Sequence, residues 1–200
     1  MAKQLGIFCG TFNPIHWGHL LMAETARDQL GLDKMLIITS PNPPHRHTDL
    51  LDGETRFRLV QAALQDNDNF VASRMEIDRE GPSYTVDTLR ALRKEYGDDS
   101  QLNFLVGEDN LEHIGSWHQA DDIFRMARII VAPRAKQAVT ANAHVVELKL
   151  PAGADMVFIE LAHIPVSSSD IRNRLRDGRS VMYLVPPPVE KILRSEALYK

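Results

Sequence analysis

Cysteine is nearly absent: Cys9 is the only one in 200 residues. An intramolecular disulfide is therefore excluded, and stability has to come from a packed core, which a chain of this length can build as one sizeable domain. Cys9 closes an apolar run, so a buried structural thiol is expected rather than a nucleophile. Such sparing cysteine use fits a reducing compartment. Long hydrophobic runs are missing too. Nothing approaches the ~20 apolar residues of a membrane span, and the N-terminus lacks the apolar region of a secretory signal. The expectation is a cytoplasmic protein with no membrane partner. Basic charge is not in excess: 23 Lys and Arg stand against 27 Asp and Glu, a net charge of −4, which argues against a nucleic-acid surface. Neither Gly-x-x-x-x-Gly-Lys-Ser/Thr nor Gly-x-Gly-x-x-Gly occurs, so kinase and dehydrogenase readings lack their usual support. There is no internal repeat, low-complexity tract or long linker. Hydrophobic content of 44% and charged content of 25% are those of an ordinary globular chain.

What is present is an alternation of two periodicities. Short apolar, β-branched runs predict strands at Leu5–Cys9, Met35–Thr39, Phe70–Ser73, Leu102–Val106, Arg128–Ala132 and Met156–Glu160. Helical spacing predicts helices at Gly18–Leu30, Gly53–Asp66, Thr85–Tyr96, Glu108–Ile114, Gln119–Met126, Ser169–Asp177 and Pro188–Ser195. Gly31 is placed to end the first helix. Lys136 to Pro151 reads as a loop with a short strand, Val145–Leu148. This alternation predicts an α/β fold, a doubly wound, mostly parallel sheet with helices on both faces. Ligands of such sheets lie beyond the carboxyl ends of the strands.

Residues 10 to 19 read Gly-Thr-Phe-Asn-Pro-Ile-His-Trp-Gly-His, between the first strand and the first helix. A strand, a tight loop and a helix start present backbone N–H groups to an anion. His16 and His19, three apart on a first helical turn, point to one side. Positive helix-end potential with two imidazoles suits a phosphate whose charge changes during reaction. Gly10 and Pro14 favour a sharp turn, and Gly18 leaves room between the histidines for a ligand or a strand. The plainer alternative is a metal half-site or two surface histidines, but no further ligand cluster accompanies them.

Residues 167 to 176 read Ser-Ser-Ser-Asp-Ile-Arg-Asn-Arg-Leu-Arg. Ser167 and Asp170 fit a capping box at a helix start. Taken alone, the string is a cap with a solvated arginine face. Beside the first motif it reads as a second phosphate-binding helix start, where the Arg172 fork would grip a phosphate. Arg174 and Arg176 fall on other faces.

The first string closely resembles the signature of the HIGH-type nucleotidyltransferase superfamily. The second resembles its C-terminal Ile-Ser-Ser/Ala-Thr-x-Ile-Arg motif, with Val166 and Ser169 in place of Ile and Thr. Further strings resemble the nicotinate-mononucleotide adenylyltransferases. These are Pro43-Pro44-His45-Arg46, Pro82-Ser83-Tyr84-Thr85, Gly107-Glu108-Asp109 with Trp117 eight residues on, and Ala132-Pro133-Arg134. Two departures stand out: Cys9 and Asn13 occupy positions where that family commonly has Gly and Asp, and Ala135 replaces a Pro. Asn13 keeps an acceptor and turn-forming capacity, so a structural turn role is expected there.

The resemblance runs from Gly6 to about Leu184. It implies a single nucleotidyltransferase domain over 1–200, whose helical part at about 165–200 completes the ATP site. It implies adenylyl transfer from ATP to nicotinate mononucleotide, giving nicotinate adenine dinucleotide and pyrophosphate, a step of NAD biosynthesis. ATP would contact Gly10, Thr11, Phe12, His16, Gly18, His19, Gly107, Asp109, Ser167, Ser168 and Arg172, with His16, His19 and Arg172 catalytic. The mononucleotide would contact Thr11, Phe12, His45, Arg46, Ser83, Tyr84, Thr85, Asp109, Trp117 and Arg134. Trp117 would stack on the pyridine, and the helix start at Tyr84 and Thr85 would take its carboxylate. The plainer roles are a core aromatic for Trp117, a helix cap for Asp109 and a solvated loop for His45 and Arg46. Mg2+ would accompany ATP through substrate oxygens and water, with no dedicated protein metal site. Partners are these small molecules, with no nucleic acid, and the chain would be a monomer or small homo-oligomer. The alternatives are another phosphate acceptor, nicotinamide mononucleotide or phosphopantetheine, and a non-catalytic nucleotide sensor.

Overall fold

A computed structural model describes residues 3–41, 49–133, 153–162 and 164–200. Six strands form one sheet: β1 (Gln4–Gly10), β2 (Lys34–Thr39), β3 (Phe70–Ser73), β4 (Gln101–Gly107), β5 (Ala127–Ala132) and β6 (Met156–Phe158). Their order is β3-β2-β1-β4-β5-β6. The β1–β4, β4–β5 and β5–β6 pairings are parallel, with Gln4 opposite Gln101 and Leu102 opposite Ala127. From β1 the chain steps outward to β2 and β3, then returns past β1 to β4. Two outward runs from one strand define the doubly wound class.

The helices are α1 (Trp17–Leu30), α2 (Gly53–Leu64), α3 (Thr85–Tyr96), α4 (Glu108–Ile114), α5 (Ala120–Met126), α6 (Ser168–Arg176) and α7 (Pro187–Ser195). Each expected strand and helix on the described residues is found within two residues of its expected ends. Gly31 ends α1 at φ 61°, the left-handed cap expected of it. The Val145–Leu148 strand and its surrounding loop lie outside the described residues. Among those described, no helix is long and apolar enough to cross a membrane.

Contacts divide the chain into two compact units, assembled from alternating segments. The first comprises Met1–Phe8, Met22–Leu36 and Tyr84–His163. Its core is the buried strand residues Leu102, Phe104, Leu105, Ile129, Ile130 and Val131 with Leu89 and Leu92 of α3. These strands read as continuous apolar runs because a parallel sheet is covered on both faces. The second unit comprises Cys9–Leu21, Ile37–Ser83 and Ile164–Lys200. Here Phe57, Val60 and Leu64 of α2, Ile171 and Leu175 of α6, and Val189 and Leu193 of α7 are buried at helical spacing. Both units contain a turn that follows the carboxyl end of a strand, and those turns carry the motifs.

Candidate functional site

In the second unit, β1 ends at Gly10 and the chain turns before α1. The turn is tied down residue by residue. Thr11 O accepts from Arg56 Nη1 at 2.6 Å. Asn13 O accepts from Arg172 Nη1 at 2.9 Å. Pro14 O accepts from Ser168 Oγ at 2.9 Å. In a planar trans peptide the N–H points opposite its carbonyl. Pinning Thr11 O and Pro14 O therefore aims the N–H groups of Phe12 and Ile15 away from Arg56 and Ser168. Phe12 itself sits at φ 45°, a left-handed conformation that costs a non-glycine residue about 1–3 kcal/mol. The flanking bonds hold it there.

Asn13 is 4% exposed, and both ends of its side-chain amide are hydrogen-bonded. Nδ2 donates to Asp49 O at 2.9 Å, and Oδ1 accepts from Leu51 N at 3.3 Å and from the Tyr199 hydroxyl at 2.6 Å. The expected structural role is present, but as a cross-link between segments rather than a turn closed on its own backbone. Arg56 extends this frame. It is 0% exposed, and its hydrogen bonds among the described residues go to four carbonyls, those of Leu51, Thr11, Ser40 and Pro41. Burial lowers its pKa from the ordinary value, partly offset by Tyr199 and Asp52. Neither Arg56 nor Tyr199 was expected from the sequence. The available signal for Arg56 was its place on the apolar stripe of α2, beside Phe57, Leu59 and Val60.

His16 closes the start of α1, its carbonyl accepting from His19 N at 3.0 Å and Leu20 N at 3.3 Å. The expected pairing of the two rings is realised. They stack at 3.7 Å between centroids with 22° between planes. The Phe12 ring meets His19 edge-on at 5.1 Å. Burial drives the His16 pKa down to about 4. Burial, then the neighbouring His16, holds that of His19 well below the ordinary value. Both imidazoles are therefore neutral at pH 7, each offering one N–H donor. Nδ1 of His16 is buried with no hydrogen-bond partner among the described residues.

Two details differ from the sequence expectations. A Cβ on Gly18 would lie 3.0 Å from Val166 Cγ1 and 3.1 Å from the His16 ring. Glycine at this position therefore makes room for the Val166 and His16 side chains. Phe12, expected against both substrates, is 3% exposed, and its ring fills the space where a Gly10 Cβ would sit, 2.8 Å away.

The α6 start behaves in part as its plainer reading. Ser167 Oγ accepts from Asp170 N at 3.1 Å, a helix cap. Arg172 adds a 3.3 Å bond from Nη2 to Ser169 Oγ, while its buried Nε has no partner among the described residues. Arg174 pairs with Asp170 and Arg176 with Asp49. The Cys9 thiol is pushed well above its ordinary pKa by burial and by the Glu76 carboxylate, which fits an inert structural thiol.

The first unit carries the other residues. Tyr84 precedes α3 in extended conformation and provides no side-chain cap. The first turn of this 12-residue helix carries Asp87, and no side chain caps its N-terminus. The Tyr84 ring stacks on His118 at 4.3 Å, a neighbour the sequence reading passed over although it adjoins Trp117. Trp117 is half-buried, edge-on to Phe104 at 6.1 Å. Asp109 is not the cap of α4. Gly107 holds that position, and Asp109 lies in the first turn. A Cβ on Gly107 would fall 2.6 Å from Asp109 Oδ1, so the glycine lets the carboxylate fold over the backbone. Ser83, at the end of the second unit, has a buried hydroxyl without a partner among the described residues. His45, Arg46 and Arg134 lie outside the described residues. No group of three or more His, Cys, Asp or Glu side chains that could hold a metal ion occurs among those described.

The cytidylyltransferase-like family matches residues 7–174. A relative from Synechococcus sp. is 39% identical over 201 residues, spanning 98% of this chain and 95% of its own. One from Caldicellulosiruptor saccharolyticus is 36% identical over 197 residues, spanning 98% and 99%. Both are named "probable nicotinate-nucleotide adenylyltransferase". Among solved structures, Plasmodium falciparum nicotinic acid mononucleotide adenylyltransferase complexed with NaAD superposes with a TM-score of 0.77. That pair is 14% identical, with 98% of this chain and 97% of the other covered. At that identity the likeness speaks to the fold.

Proposed function

The chain belongs to the cytidylyltransferase-like family and, within it, to the nicotinate-nucleotide adenylyltransferases, and from that premise we infer how its residues carry the reaction. The substrates are ATP and nicotinate mononucleotide. The products are nicotinate adenine dinucleotide and pyrophosphate, a step of NAD biosynthesis. An oxygen of the mononucleotide phosphate attacks the α-phosphorus of ATP in line. The bond from that phosphorus to the bridging oxygen breaks, and its electron pair leaves on pyrophosphate.

A phosphate monoester has its second pKa near 6, so the nucleophile is already an anion at neutral pH and needs no strong base. Catalysis is then positioning and charge stabilisation. The stacked, neutral His16 and His19 in the pinned turn are the observation that carries this reading. A neutral imidazole N–H donates to a phosphate oxygen, and growing negative charge there favours the protonated ring. Arg172 reaches the outer phosphates from the start of α6. Gly10, Thr11, Ser167 and Ser168 supply backbone to the same turn and helix start.

The reaction takes a divalent cation, as the family implies. We assign it as Mg2+ entering as the ATP complex, a component of the substrate held by phosphate oxygens and water. In the first unit, the uncapped start of α3 at Tyr84 and Thr85 suits the nicotinate carboxylate, and Asp109 suits ribose hydroxyls. An amide gains less than a carboxylate from a helix end. Pyrophosphate release should therefore be fast with nicotinate mononucleotide and slow with nicotinamide mononucleotide. Equal rates would remove the helix-end carboxylate pocket. Release with neither, but with phosphopantetheine, would replace the acceptor. ATP binding without release would support a sensor.

A further inference from the structure

We propose that Tyr199, four residues beyond the end of α7, is a positioning residue for the ATP-binding turn. The inference rests on the adenylyltransferase reading for what the turn binds, and on the geometry for how the turn is held. Four groups of the turn are occupied by long-range partners. Thr11 O is taken by α2 through Arg56, and Asn13 O and Pro14 O by α6 through Arg172 and Ser168. The fourth group is the Asn13 side chain, and its shortest bond, 2.6 Å, comes from Tyr199.

The chemistry of that bond is directional. Asn13 Nδ2 is committed to Asp49 O and Oδ1 already accepts from Leu51 N at a long 3.3 Å. A buried amide in this state needs one more donor on Oδ1. The phenol supplies it and, being a hydroxyl, competes with neither of the other bonds. Burial pushes the Tyr199 pKa up against the pull of Arg172 and Arg56, so the group stays a donor. The two guanidiniums that influence the phenol are the two that grip the backbone of the turn. One ring thus stands among Asn13, Arg56 and Arg172, all 27 or more residues away in sequence from it. The backbone at Tyr199 is itself unusual, with φ 66°, as is Ala197 with φ 49°. The last residues depart from the α7 axis at a conformational cost, and the hydroxyl bond is what that conformation delivers.

Without the hydroxyl, Asn13 loses its closest partner while Arg172 continues to pull on the carbonyl of the same residue. The turn then samples other peptide orientations, and the N–H groups aimed by Thr11 O and Pro14 O lose alignment. ATP affinity should suffer more than the chemical step.

The test is Tyr199→Phe, which removes one oxygen and keeps the ring. The KM for ATP should rise about fivefold to tenfold, with the KM for nicotinate mononucleotide and kcat per folded molecule within about twofold of the parent. Equilibrium binding of ATP, measured without the second substrate, should weaken by the same factor. In an Asn13→Ala background the substitution should have little further effect, since the path runs through Asn13. A lower Tm with unchanged ATP affinity would overturn the proposal and leave Tyr199 a merely structural residue. An equal effect in the Asn13→Ala background would overturn the path through Asn13. If the parent binds ATP yet fails to turn over nicotinate mononucleotide, the functional reading fails, and the binding comparison still decides the role of Tyr199. If the parent binds no ATP, both fail.

Discussion

The turn after β1 and the helix starts at Tyr84 and Gly107 use their polar groups in opposite ways. Around Thr11 to Pro14, carbonyls and side chains are committed to Arg56, Arg172, Ser168 and Tyr199. The helices that send Arg56, Ser168 and Arg172 to these bonds, α2 and α6, are capped by Asp52 and Ser167. In the other unit α3 and α4 begin with no side-chain cap, and the aromatic beside α3 is exposed. A group that must stabilise charge arising in a transition state has to be fixed beforehand, because reorganising during reaction would cost what the interaction gains. A group that only has to bind a ground-state carboxylate can leave its donors for the ligand to satisfy. The contrast is between a turn whose polar groups the protein itself satisfies and helix starts with no side-chain cap, which on the proposed function substrate would complete.

The hardest blow to this contrast falls at Arg56. Replacing it by Leu leaves the carbonyls of Thr11, Ser40, Pro41 and Leu51 without their buried donor. Hydrogen bonds from charged groups contribute about 1.5–3 kcal/mol each, but neighbours relax and water enters. Arg56→Leu should lower stability by about 4 kcal/mol in chemical denaturation. A loss under about 1 kcal/mol would mean that the turn holds itself.

Acid comes next. The folded-state pKa of His16 is lowered from 6.5 to about 4. Between those values the unfolded chain binds a proton that the folded chain does not. The contribution of His16 is thus fully present above about pH 6.5 and is lost as pH falls toward about 4, a change of about 3 kcal/mol. His19 acts in the same direction. Stability measured across that window should fall steeply, and His16→Gln should flatten the slope. An unchanged slope would place the titration elsewhere.

Loss of His19 tests the frame's purpose rather than its strength. His19→Ala should cost about 2–4 kcal/mol of transition-state stabilisation, as loss of one preorganised donor does. In kcat/KM that is about 30-fold to 1000-fold. A near-normal kcat/KM would take His19 out of the chemistry and leave it a core histidine.

This contrast also explains what was legible in the sequence. Strands such as Phe70–Ser73 and helices such as Thr85–Tyr96 follow from local periodicity, so their limits could be read directly. The histidine pair was legible because its geometry is set within one helical turn. Arg56 and Tyr199 were not, since their partners in the turn, Thr11 and Asn13, lie 45 and 186 residues away, and pattern within a window carries no such information. The same limit explains Gly18, whose occupant Val166 is supplied by a distant segment. On the other side, Asp109 was expected at the end of the fourth strand and lies in the first turn of α4, and its close approach to Gly107 was not legible.

The smallest expected effect is at Tyr84, where the frame is least complete. Its ring is 39% exposed and stacks on His118 at 4.3 Å. Removing it opens no core cavity, and an aromatic pair is worth about 0.5–1.5 kcal/mol beyond its buried area. Tyr84→Ala should therefore lower stability by about 1 kcal/mol or less. Its kinetic effect should be selective. The KM for nicotinate mononucleotide should rise about threefold to tenfold, while the KM for ATP stays within about twofold. The reason is that the ring borders the open start of α3, where a carboxylate would be received, and takes no part in the bonds that fix the turn at Thr11 to Pro14. Should the KM for ATP rise as much as that for the mononucleotide, the distinction between a completed frame and an open one would fail, because a residue outside the frame would then be setting its geometry.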